Sequence, residues 1–95
     1  MKVISHGPSF YFLVQDGDNY YLDVNCTVRF AGFCITFELN QDEIAQFKNR
    51  GESHIKELAE KVNRLANTYQ ARQLNETIKK QVNDTIMEWN NANKP

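Results

Sequence analysis

The sequence predicts a single α+β domain, and three observations lead to this prediction. Residues 20–29 and 33–39 alternate apolar and polar side chains, and a period of two places successive side chains on opposite faces of a strand. From residue 44 onwards, apolar residues instead recur at helical spacing. The chain has 95 residues, of which 41% are hydrophobic and 24% charged, an ordinary composition for one globular domain.

The strands are expected to form an antiparallel meander of three or four strands. Residues 3–5 are at most a short edge strand, because Gly7-Pro8 follows. Residues 10–15 are apolar on both faces, which is typical of a strand covered on each side, and 16–19 read as a turn.

The central hairpin aligns its two apolar sets on one inner face if Phe33 lies opposite Val28 and Leu39 opposite Leu22. This register leaves residues 29–32 as the loop. A slip of one residue would send a whole apolar set into water, so the inner face strongly constrains the pairing.

The opposite, outer face carries polar and aromatic side chains. In the predicted register two carboxylates face each other, which is unfavourable across a ladder. Either a bulge or a nearby lysine relieves the repulsion, or a cation from outside completes the site. If Phe12 and Val14 point inward, Tyr11 joins the outer face. The residues predicted to bind a partner are Tyr11, Tyr21, Asp23, Asn25, Thr36 and Glu38.

The second half of the sequence predicts one short helix and two longer ones, which are expected to pack on the inner face of the sheet. Asn40 and Glu43 form a capping-box pattern, and Gly51 can end the first helix. A second helix is expected from about Glu52. The apolar stripe then restarts at Leu74 about 140° out of phase, so either the helix breaks near 67–68 or one long helix carries two stripes. We expect a domain over residues 1–89 and a frayed tail at 90–95.

No catalytic or metal-binding motif is present in the sequence. The two histidines have no partners at ligand spacing, and the two cysteines form no CxxC pair. Cys34 and a histidine could form a nucleophilic pair only through the fold, because no local signature supports one. Asp16 and Asp18 resemble the start of a calcium loop without its closing glutamate. We therefore predict no enzyme activity, no metal and no cofactor.

Net charge and hydropathy limit the expected class of partner and the expected cellular compartment. The net charge of −1 gives no general attraction to nucleic acid. Residues 1–40 hold two basic and four acidic residues, so the sheet region is mildly acidic. Neither a signal peptide nor an apolar run of about 20 residues is evident, which predicts a cytoplasmic protein without a membrane segment. Cys26 and Cys34 are assigned to opposite sheet faces and should be free thiols.

A resemblance adds a specific hypothesis. The runs YYLDVNC at 20–26, GF at 32–33 and FEL at 37–39, followed by DEI at 42–44, resemble small bacterial proteins of the toxin-immunity type. This resemblance implies a cytoplasmic antidote that binds a toxin domain, and an acidic sheet end would suit a basic target.

Three hypotheses therefore stand at the level of sequence. The first is a non-enzymatic protein-binding module, with the outer face of the sheet as its binding surface. The second is a self-assembling structural or regulatory subunit, such as a homodimer, in which Ile86 and Trp89 of the third helix pack against another copy. The third is a small-molecule binder or enzyme with a pocket between sheet and helices.

Overall fold

The protein folds as a four-stranded sheet followed by four helices. The computed structural model describes residues 1–7, 10–28 and 31–93. The elements are β1 (Lys2–Gly7), β2 (Tyr11–Asp16), β3 (Asn19–Val28), β4 (Ala31–Glu38), α1 (Gln41–Arg50), α2 (Glu52–Arg64), α3 (Ala66–Gln70) and α4 (Glu76–Ala92). The strands form one antiparallel sheet in the order β1-β2-β3-β4. The predicted α+β class and the meander are confirmed, with four strands.

The pairing of β3 with β4 differs from the predicted register by two residues. Leu22 lies opposite Phe37 and Val24 opposite Ile35. A shift of two keeps every side chain on its predicted face, so the apolar sets still meet. Strand β4 begins at Ala31, so Gly32 belongs to the strand rather than to the loop. The predicted loop residues 29 and 30 lie outside the described part of the chain.

The new register removes the predicted repulsion on the outer face. Asp23 lies opposite Thr36, and Glu38 lies opposite Tyr21. The two carboxylates therefore do not face each other, so the repulsion that a bulge, a lysine or an external cation was to relieve does not arise at that pair.

Strand β2 has the opposite orientation to the predicted one. Leu13 lies opposite Leu22, and Val14 lies opposite Tyr21. The turn to β3 is tight, and Gly17 adopts a φ of 61° in it, a conformation that glycine takes without steric cost. Since β2 is apolar on both faces, its pattern could not choose between the two orientations.

Helix α1 begins and ends as predicted. The Glu43 N–H donates to the Asn40 side chain at 2.8 Å, and the Glu43 carboxylate accepts from the Asn40 N–H at 2.8 Å. This reciprocal pair is a capping box. Gly51 ends α1 with a φ of 70°, and α2 follows directly.

The helical region breaks after α2, which resolves the choice left open by the sequence. The chain turns at Leu65, forms the five-residue α3, and leaves helical structure over residues 71–75. Asn75 then caps α4 by accepting from the Ile78 N–H at 3.0 Å. Helix α4 continues to Ala92, so the first three residues of the predicted tail, 90–92, are helical.

The helices cover both faces of the sheet, so the expectation that they pack on one face was wrong. We call the face under α1–α3 the front face and the face under α4 the back face. The front cluster contains Tyr11, Leu13, Tyr20, Leu22, Val24, Cys26, Ile35, Phe37, Leu39, Ile55, Leu58, Ala59, Val62, Ala66 and Tyr69. The back cluster contains Val14, Tyr21, Val82 and Ile86. None of the helices described is long and apolar enough to cross a membrane.

Candidate functional site

The back face was predicted to be an open surface, but α4 and the residues before it cover most of it. Tyr21 is 5% exposed, Asp23 8% and Thr36 0%, all on the covered face. Asn25 and Glu38 are exposed, as predicted. A binding surface made of all six predicted residues is therefore wrong for the folded chain, because the second apolar stripe of the helical region needed this face for its own burial.

Tyr11 belongs to the front face and is only 4% exposed. Its ring lies against Gly7, where an added Cβ would be 2.5 Å from a ring carbon. Burial raises the pKa of Tyr11, and the nearby charge of Glu52 raises it further. The carboxylate of Glu52 accepts a hydrogen bond of 2.7 Å from Ser5 Oγ. Tyr11 is therefore a core residue that joins β1 to β2.

A polar cluster lies where the chain enters α4. The Asp23 carboxylate accepts a hydrogen bond of 3.1 Å from Thr36 Oγ1. Burial raises the pKa of Asp23, while this hydrogen bond and the charge of Lys79 oppose the rise. A buried carboxylate is costly unless it is paired, and Lys79 on α4 supplies the nearby positive charge.

The residues before α4 lie along the outer edge of β4. The Leu74 N–H donates to the Thr36 carbonyl at 2.9 Å. In one orientation the Gln73 side-chain oxygen accepts from the Thr36 N–H at 3.3 Å. In the swapped orientation its oxygen accepts from Lys79 Nζ at 3.1 Å and its nitrogen donates to the Cys34 carbonyl at 3.3 Å. This segment covers part of an edge strand that would otherwise expose its hydrogen-bonding groups.

Arg72 fixes the same segment to the sheet and to α1. Its guanidinium donates to both Glu43 carboxylate oxygens, at 2.9 and 2.7 Å, and to the Glu38 carbonyl at 2.9 Å. It also lies 4.6 Å from the ring centre of Phe37 and 5.7 Å from that of Tyr69. A planar guanidinium suits this combination of bidentate pairing and stacking.

The covering of the β4 edge stops at the Cys34 carbonyl. The hydrogen bond to the Thr36 carbonyl shows that the backbone of Thr36 points away from β3. Along a strand this direction alternates, so the backbone groups of Cys34 and Gly32 point the same way. Both residues are exposed. Among residues 1–7, 10–28 and 31–93, nothing hydrogen-bonds the Cys34 N–H or the backbone of Gly32, so the first half of the β4 edge is open to pairing.

The other edge of the sheet has protection of its own. Strand β1 carries an irregularity in its pairing between Val3 and Ser5, and it begins with Lys2. Bulges and charged side chains both discourage pairing with another chain. The two edges thus differ, because in the part of the chain that the structure describes the first half of β4 carries neither a bulge nor a charged side chain.

The polar groups near this edge are not arranged for nucleophilic catalysis. The Cys34 thiol donates to Asn25 Oδ1 at 2.9 Å. Burial raises the pKa of Cys34, and the charge of Asp23 adds to this effect, which favours the unreactive thiol. His6 lies elsewhere, stacked on Phe12, and His54 lies on α2. The structure therefore brings neither histidine to Cys34.

Two further features bear on ligands. In residues 1–7, 10–28 and 31–93, no three His, Cys, Asp or Glu side chains are grouped to hold a metal ion. A cavity of about 420 Å³ lies at the break between α2 and α3. Its lining is the continuous stretch 63–68, so it is a groove in one surface segment rather than a cleft between sheet and helices.

Sequence reasoning missed Arg72, Gln73 and Lys79, three residues that organise this region. They contact residues distant in the chain, and no spacing rule connects them to the sheet. The change of phase of the apolar stripe was the one available signal, since it indicated that the chain turns between the two stripes. Comparison with protein-family models, curated proteins and solved structures finds no match to this chain.

Proposed function

We propose that the protein is a non-enzymatic protein-binding module that receives an extended segment of a partner at the first half of the β4 edge. The observation that carries this proposal is the incomplete covering of β4. Arg72 and Leu74 engage the carbonyls of Glu38 and Thr36, whereas Gly32 and the N–H of Cys34 stay at the open edge. Open edges bind extended peptides by adding a strand to the sheet.

The composition of β4 supports the same proposal. Residues 31–37, AGFCITF, contain no charged residue and no proline. Segments of this kind pair readily with other strands, and soluble proteins usually protect them at an edge. A bound partner would provide this protection.

The chemistry of the partner is inferred from the charge at the far end of the sheet, which acts at long range, and from the resemblance to immunity proteins. Burial raises the pKa of Tyr21, and the charges of Glu38 and Asp16 raise it further, so both acids lie near one end of the back face. Glu38, Asp16 and Asp18 are exposed. We infer a basic partner, such as a toxin domain, attracted by this acidic end. The free thiols of Cys26 and Cys34 favour a cytoplasmic setting.

A backbone substitution at the edge tests the proposal. In Cys34→Pro the outward N–H is replaced by a ring, and proline is tolerated on edge strands when that N–H faces solvent. Cys34→Ser is the matched control, because it removes the thiol and keeps the N–H. A partner isolated with the wild type and then purified should bind Cys34→Ser normally and Cys34→Pro at least roughly tenfold more weakly.

Two outcomes would contradict the proposal. Equal binding to Cys34→Pro and Cys34→Ser, with both variants showing the far-ultraviolet circular dichroism of the wild type, would place the partner elsewhere. Failure to recover any partner that binds directly after purification would also count against it.

The hypothesis of self-assembly through α4 required Ile86 and Trp89 to be available to a second copy, but both pack against their own chain. Ile86 is only 7% exposed and packs against the sheet of its own chain. Trp89 lies 4.5 Å from the ring centre of His6 and 5.7 Å from that of Phe12. A second copy could instead pair through β4. Light scattering would then show a concentration-dependent dimer that Cys34→Pro abolishes, and the second copy would replace the basic partner in the proposal.

A further inference from the structure

The surface beneath α4 has the composition of an interface rather than of a core. Phe12, Val14 and Tyr21 provide its apolar and aromatic part. Asp23 and Thr36, the two buried polar residues of the described chain, lie on the same face. Among the described residues, no basic nitrogen lies within 4.0 Å of an Asp23 carboxylate oxygen, which is the limit for an ion pair. Aromatic rings around polar anchors are typical of binding surfaces.

Helix α4 buries fewer of its residues against the sheet than α2 does. Helix α2 has 13 residues and buries four of them, whereas α4 has 17 residues and buries only Val82 and Ile86. Ile78 and Leu74 are partly buried in the same cluster. Helix α4 is the longer of the two, but it buries a smaller fraction of its residues than α2 does.

Helix α4 contacts the sheet through apolar and aromatic side chains, including Trp89 against His6 and Phe12, rather than through hydrogen bonds. Its side-chain hydrogen bonds are local, such as that from Thr85 to the Gln81 carbonyl, or run to the preceding segment, as from Lys79 to Gln73 in the swapped amide orientation. In the described part of the chain, none joins α4 to a strand. Helix α2, in contrast, is tied to β1 by the hydrogen bond between Ser5 and Glu52.

The chain is anchored immediately before α4. Arg72 and Leu74 hold the connecting segment to β4, and the non-helical Asn75 separates this anchor from the helix. Movement at Asn75 would therefore displace α4 while the anchor keeps the rest of the fold in place.

We propose that α4 is a lid that leaves the back face as a unit while the sheet and α1–α3 stay folded. The uncovered face then accepts an amphipathic helix of a partner. Helix α4 itself indicates what this face accepts, namely apolar residues at the spacing of Ile78, Val82 and Ile86 and a cation near Asp23. The binding of a partner's helix rests on the proposed binding function, whereas the opening of α4 does not.

The single tryptophan makes the lid observable. Trp89 lies on α4 and packs against His6 and Phe12, so its fluorescence reports whether α4 is docked. Amide signals of residues 55–62 in nuclear magnetic resonance spectra report the front face. In a urea titration, we expect the Trp89 transition to precede the loss of the front-face signals. Coincident transitions would overturn the lid, since they indicate one cooperative unit.

A matched pair of variants sharpens this test. Val62 on α2 and Val82 on α4 are both 0% exposed, so truncation to alanine removes the same atoms from each face. Val82→Ala should lower the urea midpoint of Trp89 fluorescence and leave the front-face midpoint unchanged. Val62→Ala should lower the front-face midpoint. Equal shifts of both probes in both variants would contradict the proposal.

A peptide of residues 74–93 tests the acceptor role of the uncovered face. Added to full-length Val82→Ala, the labelled peptide should bind at least roughly tenfold more tightly than to the wild type, in which the tethered α4 competes at high effective concentration. Equal or absent binding would overturn the helix-accepting role. The urea transitions of Trp89 and of the front-face amides involve no partner, so the lid can fail while binding at the β4 edge stands, and binding at the edge can fail while the lid stands.

Discussion

The two faces of the sheet are built from the same strands but carry apolar clusters of different size. The front cluster joins three helices to the sheet through Phe37, Leu22, Val62 and their neighbours. The back cluster joins only α4, chiefly through Val82 and Ile86. Because apolar burial is the dominant stabilising contribution, the front face should determine whether the chain folds. The back face can then carry Asp23 and other polar groups.

The largest expected effect comes from the centre of the front face. Phe37 is fully buried and contacts Tyr69 and Arg72, so Phe37→Ala should lower the free energy of unfolding by about 3–5 kcal/mol. Ile86→Ala on the back face should mainly loosen α4. Urea unfolding followed by amide signals of α2 measures the difference. A larger loss of front-face stability from Ile86→Ala than from Phe37→Ala would reverse the proposed ranking.

A second effect tests how β1 is joined to the front face. In Gly7→Ala the new methyl would lie 2.5 Å from the Tyr11 ring, and the required movement should cost about 1–3 kcal/mol. Gly32→Ala is the control, since its nearest neighbour would be 3.8 Å away, and it should change stability by less than about 0.5 kcal/mol. Thermal unfolding of both variants checks this, and similar stabilities would show that Tyr11 yields easily.

The Arg72 anchor should contribute less than the core but more than a surface ion pair. Arg72→Lys loses the bidentate pair with Glu43 and the stacking on Phe37, at a cost of about 1–2 kcal/mol. Arg50 also forms a bidentate pair, with Glu57, but both side chains are largely exposed. Arg50→Lys should therefore cost about 0–0.5 kcal/mol. Equal costs in urea unfolding would mean that the anchor does not depend on its burial.

The smallest effects are pH-dependent and have opposite signs at two carboxylates. Burial raises the pKa of Glu43, but the hydrogen bonds from Arg72 and from the backbone of Asn40 outweigh it, so its pKa lies below the usual 4.5. Glu43 therefore stabilises the fold above pH 4.5, and this contribution is lost as the pH falls through the folded-state pKa. The stability advantage of the wild type over Glu43→Gln should shrink on acidification.

Asp23 should behave in the opposite way. Burial holds its pKa above the usual 3.8, so the folded state binds a proton more readily than the unfolded state does. The wild type should therefore gain stability relative to Asp23→Asn as the pH falls through the folded-state pKa towards 3.8. Free energies of unfolding measured across this range test both carboxylates. Parallel pH profiles for Asp23→Asn and the wild type would show that Asp23 is not buried as described.

Local patterns were sufficient to predict much of the fold. The alternation in β3 and the capping box of Asn40 and Glu43 depend on neighbouring residues, and both were predicted correctly. The orientation of β2 was not, because Tyr11 and Phe12 are both large and aromatic and either could face the front. The register of the hairpin was wrong by two residues because such a shift preserves the buried face.

The candidate site was less predictable because it depends on contacts between distant residues. Asn25 and Glu38 were correctly placed on the surface, but Tyr21 and Asp23 are covered by α4. Their covering follows from where α4 packs, which the phase of its apolar stripe does not specify. The partial protection of β4 by Arg72 and Leu74 is likewise a product of the tertiary fold.

Native-state hydrogen exchange tests the central claim most directly, namely that the back layer opens independently of the front layer. Amides of α4 around Val82 should exchange through an opening of lower free energy than amides of α2 around Val62 and of β3 around Leu22, and this gap should close only as urea approaches the global transition. Equal opening free energies and equal urea dependence in α4, α2 and β3 would contradict the account.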